Sequence, residues 1–239
     1  MARGKATSGV RRIFSMLIEE FIVTPFQQNA RLVACEKTRQ AICVDPGEPT
    51  PAIIETLERR KLRLQAIALT HAHMDHIGGV SWLKKLQPEA EIILHEADAE
   101  SYYALPEQPA WLDIPRSQWA MFGVEYERPP AIDRVWTEGE IYRVGELSFK
   151  VLHCPGHSPG HVVLFEERER TAIVGDCLFA GSIGRTDLPF GSMEQLMDSL
   201  VNKIVPLGDD VRALTGHGAN TSIGHERLTN PFLTGAYVL

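Results

Sequence analysis

Residues 69–79 read LTHAHMDHIGG and place His71, His73, Asp75 and His76 within six positions. The segment overlaps the end of LQAIALT (64–70), an apolar run that predicts a buried strand. Four polar groups would weaken a hydrophobic core, whereas loops at the rim of a sheet are where functional residues collect. The cluster therefore predicts a functional site at the end of a strand.

Three further residues occupy the same kind of position later in the chain. His157 lies in the loop after a predicted strand, and Asp176 and His217 each end another. Imidazole and carboxylate groups are ligands for zinc and iron. This shared placement predicts that the three side chains meet the first cluster at one rim of a sheet assembly.

The spacing within the cluster predicts two ions. His71 and His73 are two positions apart in an extended loop and are expected to face one ion. Asp75 and His76 lead into a helix and are expected to face a second, while Asp176 has two oxygens with which to bridge both. Two divalent ions are therefore predicted, with zinc expected and iron or manganese as alternatives.

A histidine on its own is more often a structural residue than a ligand. That interpretation applies to the histidines outside these positions, and Asp176 or His217 alone would also be ordinary. The joint placement at strand ends is what favours a site. The structural interpretation covers His95, His153, His161 and His225.

Length and composition narrow the class of protein. The 239 residues suit one large domain, and 44% hydrophobic content supplies ample core. A formal charge of -7 argues against nucleic acid or an anionic membrane as partner. No apolar run is long enough for a membrane span. A homo-oligomer is compatible with this composition.

The four cysteines are widely spaced, and no C-x-x-C pair occurs. Neither a disulfide framework nor a thiolate zinc site is indicated, so a reducing cytoplasm is expected. Residues 1–16 carry four basic side chains and no acidic one. They suit either an organelle-targeting presequence or, the favoured interpretation, a disordered extension before Met16, with residues 17–239 as one domain.

The secondary-structure pattern predicts an α/β protein with two strand-rich halves. Residues 104–133 interrupt it with five prolines and several aromatic side chains, and suit either a lid over a site or an aromatic cluster packed on the body. The two halves suggest two sheets packed face to face with helices outside. Predicted strands are 21–26, 30–36, 40–47, 64–70, 147–154, 161–166, 171–177 and 211–217, and predicted helices are 51–61, 76–86, 191–205 and a short C-terminal one. Residues 91–98 are predicted to be a strand that runs into another helix.

The segment THAHMDH (70–76) resembles the T-H-x-H-x-D-H signature of the metallo-β-lactamase superfamily. PGHSPGH, GDCLF and GHG follow in the order typical of that family, and the resemblance runs from about Phe21 to Leu233. FAGSIGRTDLP (179–189) and TNPFL (229–233) are similar to small single-domain glyoxalase II-like hydrolases of bacteria. The resemblance implies an αββα sandwich of two packed mixed sheets with helices on the outer faces.

The resemblance also implies a ligand set and a reaction. One metal would be held by His71, His73 and His157, the other by Asp75, His76 and His217, with Asp176 between them. Metal-bound hydroxide would attack the carbonyl of a thioester, S-lactoylglutathione being typical of the family. Asp75 is in addition expected to orient this hydroxide or take its proton.

The chain departs from the classical two-domain glyoxalase II enzymes in ways that concern substrate binding. Those enzymes carry a helical C-terminal domain, and an aromatic residue soon after the last metal histidine, where this chain has Gly218 and Ala219. Arg185 is predicted to bind a substrate carboxylate instead, since guanidinium pairs with carboxylate bidentately. Pairing of Arg185 with Asp187 is the structural alternative.

Three other functions stay open. A persulfide dioxygenase of the same superfamily would hold one iron with His71, His157 and Asp176; its pattern also contains GRTD but then differs from Leu188-Pro189. A lactamase matches the accessory motifs less well. A noncatalytic metal-binding interaction module is disfavoured by the complete ligand set. Cys177, beside Asp176, is expected to be a small buried residue without a catalytic role.

Overall fold

The computed structural model describes residues 16–115, 117–119 and 127–236. The predicted extension over residues 1–16 therefore lies outside the described residues, except for Met16, which is the first residue of a strand rather than part of an extension. The predicted excursion over 104–133 is described in part. Among the described residues, no helix combines the length and apolar character needed to cross a bilayer.

The first half of the chain forms a mixed sheet, which has six strands in the described residues, paired in chain order. The first three strands are antiparallel neighbours, and the last three pairings are parallel. Parallel neighbours bring their carboxyl ends to one edge, which is where the His71 cluster begins. The strands are β1 (Met16–Val23), β2 (Gln28–Cys35), β3 (Gln40–Val44), β4 (Arg63–Ala68), β5 (Glu91–Leu94) and β6 (Arg134–Val135).

The second half forms another mixed sheet, described with six strands in the order β14-β13-β10-β9-β8-β7. Its one parallel pairing joins β10 and β13, the strands that lead to Asp176 and His217. A separate hairpin pairs β11 (Leu178–Phe179) with β12 (Ser182–Ile183). The strands of the sheet are β7 (Ile141–Val144), β8 (Leu147–His153), β9 (Val162–Glu166), β10 (Thr171–Gly175), β13 (Arg212–Thr215) and β14 (Thr221–Ser222).

The helices differ from the sequence prediction in two places. The predicted helix 76–86 is two helices, because the chain turns at Gly78 and Gly79. The predicted helix 191–205 begins after Ser192, whose side chain caps it, and continues beyond Ser199 as a wider π-helical segment, Leu200–Ile204. The α-helices are α1 (Pro51–Arg60), α2 (Met74–Ile77), α3 (Val80–Leu86), α4 (Ala99–Tyr103), α5 (Met193–Ser199) and α6 (Ile223–Thr229).

Three apolar layers hold the two sheets and the helices together. The middle layer, with Ile42 and Phe149, lies between the sheets. The outer layers pack α1 and α3 on the first sheet, through residues such as Ile53, and α5 and α6 on the second, through residues such as Leu196. This arrangement confirms the predicted αββα sandwich, with helices on the outer faces.

Backbone hydrogen bonds join the strand ends of the two sheets at one edge. The amide of Val162 in the second sheet donates to the carbonyl of Thr70, which follows β4 of the first, at 2.8 Å. The amide of Asn29 in β2 donates to the carbonyl of Gly216, at 2.8 Å. These bonds, together with the parallel pairing of β10 and β13, bring the loops after β4, β10 and β13 together, so that residues distant in sequence share one rim.

The described part of the predicted excursion is a wall packed on the body. Leu105–Leu112 forms a 3₁₀ segment, and Leu105 is buried in the core of the first half. Trp119 donates from its indole nitrogen to the carbonyl of Ile114 at 2.8 Å. The packing favours the aromatic cluster over a free lid for residues 104–115; residues 120–126 lie outside the described part of the chain.

Candidate metal centre

All seven residues predicted as metal ligands lie at the rim where the two sheets meet. His71 and His73 are in the loop after β4, and Asp75 and His76 are in the first turn of α2. The other three follow strands of the second sheet. Their role as ligands stays a prediction of the sequence, and the structure supplies their geometry. The three are His157, Asp176 and His217.

The first group of ligand atoms consists of three imidazole nitrogens, from His71, His73 and His157. His73 Nδ1 lies 2.8 Å from His157 Nε2, which lies 3.2 Å from His71 Nε2. All three side chains are buried. Burial lowers the pKa of His73 to about 3, and burial together with neighbouring imidazoles lowers the pKa of His71 well below its ordinary value. These rings are therefore neutral at physiological pH, as metal binding requires.

The second group joins Asp75, His76 and His217. His217 Nε2 lies 3.2 Å from Asp75 Oδ2 and 3.3 Å from His76 Nε2. Burial alone would lower the pKa of His217, but hydrogen bonds to Asp176 and Asp75 outweigh it and raise the pKa to about 10. The metal-free group thus carries a proton on His217, which a bound cation would replace.

Asp176 lies between the two groups. Its Oδ2 is 3.5 Å from His157 Nε2 and 3.4 Å from His217 Nε2, so one oxygen faces a ring of each group. Burial alone would raise its pKa, but the charge of His76 and the close approach of the His217 and His76 rings outweigh burial and lower the pKa well below the ordinary value. Asp176 is therefore an ionised carboxylate in the position predicted for a bridging ligand.

Four of the five histidines in the two groups have an oxygen next to their second nitrogen. Nδ1 of His71 lies 3.0 Å from Thr70 Oγ1, and Nδ1 of His157 lies 2.8 Å from the carbonyl oxygen of Arg185. An oxygen acceptor at Nδ1 leaves Nε2 free to bind a cation and fixes the ring orientation. The other two pairs are His76 Nδ1 with Asp45 Oδ2 at 3.0 Å and His217 Nδ1 with the Phe26 carbonyl at 2.9 Å.

Two observations indicate that the seven residues are suited to hold a pair of divalent cations. Asp176 Oδ1 is buried and has no hydrogen-bond partner among the described residues, although His76 Nε2 lies 3.4 Å away. Gly216 leaves the room beside it, since a Cβ there would lie 1.9 Å from that oxygen. A buried carboxylate oxygen without a donor is costly unless a cation satisfies it. The donor set, imidazole and carboxylate, is that of zinc and iron sites.

Two residues at the site, Asp45 and Asp98, were missed by the sequence reasoning. Asp45 directly follows β3 and accepts hydrogen bonds from both the amide and the hydroxyl of Thr70, at 2.7 and 2.6 Å. Asp98 accepts from the amide of Ala72 at 3.0 Å and from the hydroxyl of Ser158 at 2.7 Å, joining the two histidine loops. Asp45 shares the strand-end placement of Asp176, a signal that could have found it.

His161 was interpreted as structural, and it touches the site without belonging to either group. Its Nε2 accepts a hydrogen bond from the amide of Asp176 at 3.0 Å, and burial lowers its pKa well below the ordinary value. Its ring therefore helps to hold the backbone of Asp176 in place. The other histidines so interpreted lie elsewhere: the rings of His95 and His153 stack with centroids 4.0 Å apart, and His225 is exposed on α6.

A cleft of about 390 Å³ opens onto the two groups. Its walls are largely apolar and come from Phe26 in the β1–β2 turn, Trp111 and Leu112 in the 3₁₀ segment, and the β11–β12 hairpin. Arg185 also lines it. Its guanidinium pairs with Asp187 through Nε at 2.7 Å and Nη2 at 2.9 Å, so the structural alternative for Arg185 is formed.

The GRTD segment reaches the site through its backbone as well. The carbonyl of Arg185 accepts from His157, and Gly184 packs so closely that a Cβ would lie 1.9 Å from the carbonyl oxygen of Asp176. Glycine at 184 is therefore required by the approach of this loop to His157 and Asp176.

Helix α6 braces the β11–β12 hairpin. Asn230, just after the helix, donates from Nδ2 to the Ser182 carbonyl at 2.9 Å and to Glu226 Oε2 at 2.9 Å. Glu226 is buried and also accepts from the amide of Gly181 at 2.8 Å. Asn230 of the motif TNPFL, together with Glu226, thus holds the segment FAGSIGRTDLP in place.

Comparison with known proteins agrees with this fold. A family model described as the metallo-beta-lactamase superfamily matches residues 23–217. The chain belongs to the metallo-β-lactamase superfamily and is a hydrolase of that class. It is similar to hydroxyacylglutathione hydrolase GloC of Haemophilus influenzae, with 38% identity over 91% of this chain and 98% of the relative.

Two solved structures are similar over nearly the whole fold. The crystal structure of BLEG-1 B3 metallo-beta-lactamase has a TM-score of 0.78 and 35% identity, covering 92% of this chain and 100% of that one. The crystal structure of TTHA1623 in a di-iron-bound form has a TM-score of 0.74 and 34% identity, covering 89% and 100%. Both support a centre for divalent metal in this fold.

Proposed function

We propose that the protein is a metal-dependent thioester hydrolase of the glyoxalase II type, acting on S-lactoylglutathione or a related hydroxyacylglutathione. The observation that carries the proposal is the two clusters of imidazole and carboxylate groups, with Asp176 between them, that a partly apolar cleft reaches. Similarity to a hydroxyacylglutathione hydrolase over most of both chains supports the choice of substrate.

His71, His73 and His157 would hold one cation, Asp75, His76 and His217 the other, and Asp176 would lie between them. Two divalent cations supply acidified water and stabilise the negative charge that develops on an attacked carbonyl. Zinc is the metal we propose, with manganese or iron as alternatives; the di-iron form of TTHA1623 supports iron.

Asp75 is the side chain we propose for proton transfer. It lines the cleft, and its Oδ2 lies 3.2 Å from His217 Nε2. Burial alone would raise its pKa, but the charge of His76 and the hydrogen bond from His217 outweigh it and lower the pKa. An ionised carboxylate in that position orients water in the cleft and accepts its proton at Oδ2.

A thioester makes few further demands on the protein. The leaving thiolate needs no proton donor, because a free thiol has a pKa of about 8.5. No side-chain nucleophile is needed, which agrees with the state of Cys177: it is buried, and burial raises the pKa of its thiol well above the ordinary value. All four cysteines are free and buried, in keeping with the proposed cytoplasmic location.

Arg185 remains our proposal for binding a substrate carboxylate, although its fork is paired with Asp187. The pair is exposed, with side-chain exposures of 52% and 70%. An exposed ion pair is held by roughly 1 kcal/mol or less, so a substrate carboxylate could displace Asp187 at small cost.

The test is hydrolysis of S-lactoylglutathione by purified protein with its metal content measured. We expect turnover that is lost on chelation and restored by zinc, manganese or iron. Oxygen consumption with glutathione persulfide that greatly exceeds thioester turnover would establish the dioxygenase instead. A noncatalytic module would bind metal and show neither activity.

Hydrolysis of β-lactams is a second candidate, favoured by the similarity to BLEG-1, which is titled a B3 metallo-beta-lactamase. A chromogenic cephalosporin assayed on the same preparation separates the two. Because the proposed substrate is a thioester, we expect kcat/KM for the cephalosporin to be far below that for S-lactoylglutathione.

A further inference from the structure

Gln108 is a buried amide in the wall of the cleft. It belongs to the 3₁₀ segment Leu105–Leu112 and is 2% exposed. Its Nε2 donates to the carbonyl of Ala72 at 2.7 Å and to the carbonyl of Ser101 at 2.8 Å. Because carbonyl oxygens only accept, the amide nitrogen must face both of them, and both of its protons are used. The orientation of the amide is therefore fixed.

The remaining polar atom of Gln108 is its carbonyl oxygen, Oε1. This atom has no hydrogen-bond partner within the described part of the chain, yet it is not among the polar atoms sealed inside the protein. Gln108 lines the cleft, and Oε1 is the polar atom of its side chain that is neither paired nor sealed, so we place Oε1 at the cleft surface. A fixed acceptor with no donor in a nearly buried position is completed by a ligand that brings a donor.

The location of this acceptor points to the acyl end of the substrate. Ala72, which anchors the amide, lies between His71 and His73, so Gln108 is one hydrogen bond away from the loop of the first ligand group. The thioester carbonyl, whose bond to sulfur is cleaved, must reach these ligands, and the next carbon of the acyl group lies one bond further. Trp111 and Leu112 flank the position with apolar surface.

We propose that Gln108 is a specificity-determining residue that accepts a hydrogen bond at Oε1 from a hydroxyl group on the carbon next to the thioester carbonyl. The assignment rests on the proposed thioester hydrolysis. It makes the cleft selective for 2-hydroxyacyl thioesters over thioesters of the same size without a donor, because the latter leave Oε1 desolvated and unpaired.

The experiment compares S-lactoylglutathione with S-(2-fluoropropionyl)glutathione, which has similar size and electron withdrawal but no donor. Rates with hydroxide in solution correct for the different reactivity of the two thioesters. After this correction, we expect the metal-loaded wild-type protein to prefer the lactoyl substrate by about 5- to 150-fold in kcat/KM. Gln108→Met, which keeps length but accepts no comparable hydrogen bond, should bring the ratio close to one.

The matched control is Gln65→Met. Gln65 also donates twice from Nε2, to Tyr142 Oη at 3.0 Å and to the Arg143 carbonyl at 2.8 Å, but does not line the cleft. This variant should keep the wild-type ratio. Two substrates measured on one preparation share the same active fraction, so partial unfolding cancels; Gln108→Leu repeats the measurement if Gln108→Met fails to fold.

The outcomes separate the two proposals. A wild-type ratio near one, or an unchanged ratio in the Gln108 variant, overturns the role of Gln108 while thioester hydrolysis stands. No turnover of either thioester by metal-loaded protein overturns the proposed function, and the role of Gln108 with it.

Discussion

Asp45 and Asp176 lie on opposite nitrogens of one imidazole, that of His76. Asp45 Oδ2 is 3.0 Å from Nδ1, and Asp176 Oδ1 is 3.4 Å from Nε2. Burial alone would lower the pKa of His76, but the carboxylates of Asp176 and Asp75 outweigh it and raise the pKa well above its ordinary value. Asp45 thus directs Nε2 toward the position predicted for the second cation.

Replacing Asp45 should weaken metal binding without removing a predicted ligand. Asp45→Asn keeps the shape but presents an amide nitrogen or a single oxygen to Thr70 and His76, so the ring loses its fixed orientation. Loss of such a partner typically costs about 10- to 100-fold in metal affinity. Competition with a coloured chelator measures it. Asp209→Asn, in an exposed ion pair with Arg227, is the control; equal affinities for the two variants would contradict the role of Asp45.

The metal-free protein should be most stable at about pH 6.5, the ordinary pKa of histidine. His73, with its pKa lowered to about 3, stays neutral when folded, so its contribution is present above pH 6.5 and lost as pH falls toward 3. His217, with its pKa raised to about 10, contributes below pH 6.5 and loses this as pH rises toward 10. Urea midpoints in chelator at pH 5, 7 and 9 test both limbs.

A variant separates the alkaline limb from general alkaline denaturation. His217→Gln lacks the raised pKa, so its metal-free stability should fall less between pH 7 and pH 9 than that of the wild type. An identical decline in both proteins would show that His217 is not responsible.

Asp75→Asn should reduce turnover about 100-fold or more, since it keeps the shape of the side chain but removes the charge that accepts a proton. Metal content, measured on the same protein, must stay near that of the wild type for the result to concern proton transfer. Near-normal turnover with full metal content would exclude this role for Asp75.

Arg185→Ala should raise KM about 10- to 150-fold and leave kcat nearly unchanged, if Arg185 binds substrate equally in the ground and transition states. The melting temperature should change little, because the pair with Asp187 is exposed. Arg185→Lys should rescue only in part, because an ammonium lacks the planar fork.

Asp187→Asn is the control for Arg185. The hydrogen bond from Arg185 lowers the pKa of Asp187 to about 2, so the carboxylate competes with substrate for the guanidinium at all working pH values. Removing its charge should leave KM unchanged or lower it. If Arg185→Ala has the wild-type KM, Arg185 is structural.

Asn230→Ala should loosen the cleft wall from a distance. It removes the hydrogen bond to the Ser182 carbonyl, so amide exchange in residues 178–183 should become faster and KM should rise by about 5-fold. Arg227→Met is the control, because it frees α6 from Asp209 but not from the hairpin. Equal amide exchange rates in the hairpin of both variants would show that Asn230 does not hold the hairpin in place.

The strand-end placement of the seven predicted ligands could be derived from the sequence because it depends on local patterns. A buried strand followed by a polar residue is visible in one window, and parallel pairing then brings such ends to one edge. The same criterion applied to Asp45, at the end of β3, would have added it. Asp98 is different, because β5 ends at Leu94 and Asp98 lies beyond it in a 3₁₀ turn, where it contacts Ala72 and Ser158, which are distant in sequence.

Other features depend on tertiary contacts that no window contains. Proline and aromatic content suited the segment around Trp111 to a lid as well as a wall, and only the hydrogen bonds of Gln108 and the burial of Leu105 separate the two.

The helix prediction for 76–86 failed because a continuous apolar pattern did not reveal the turn at Gly78 and Gly79. Two glycines together were the signal for that break.

The predicted ligands are drawn from both sheets, with His71 after β4 and Asp176 after β10. A cation held by residues of both sheets acts as a removable crosslink, because it binds the docked state and not the separated one. By mass action, a ligand present at about 1,000 times its dissociation constant adds about 4 kcal/mol to the free energy of unfolding. The lifetime of this protein against proteolysis should therefore follow the supply of free metal, so that starvation for metal lowers its abundance as well as its activity.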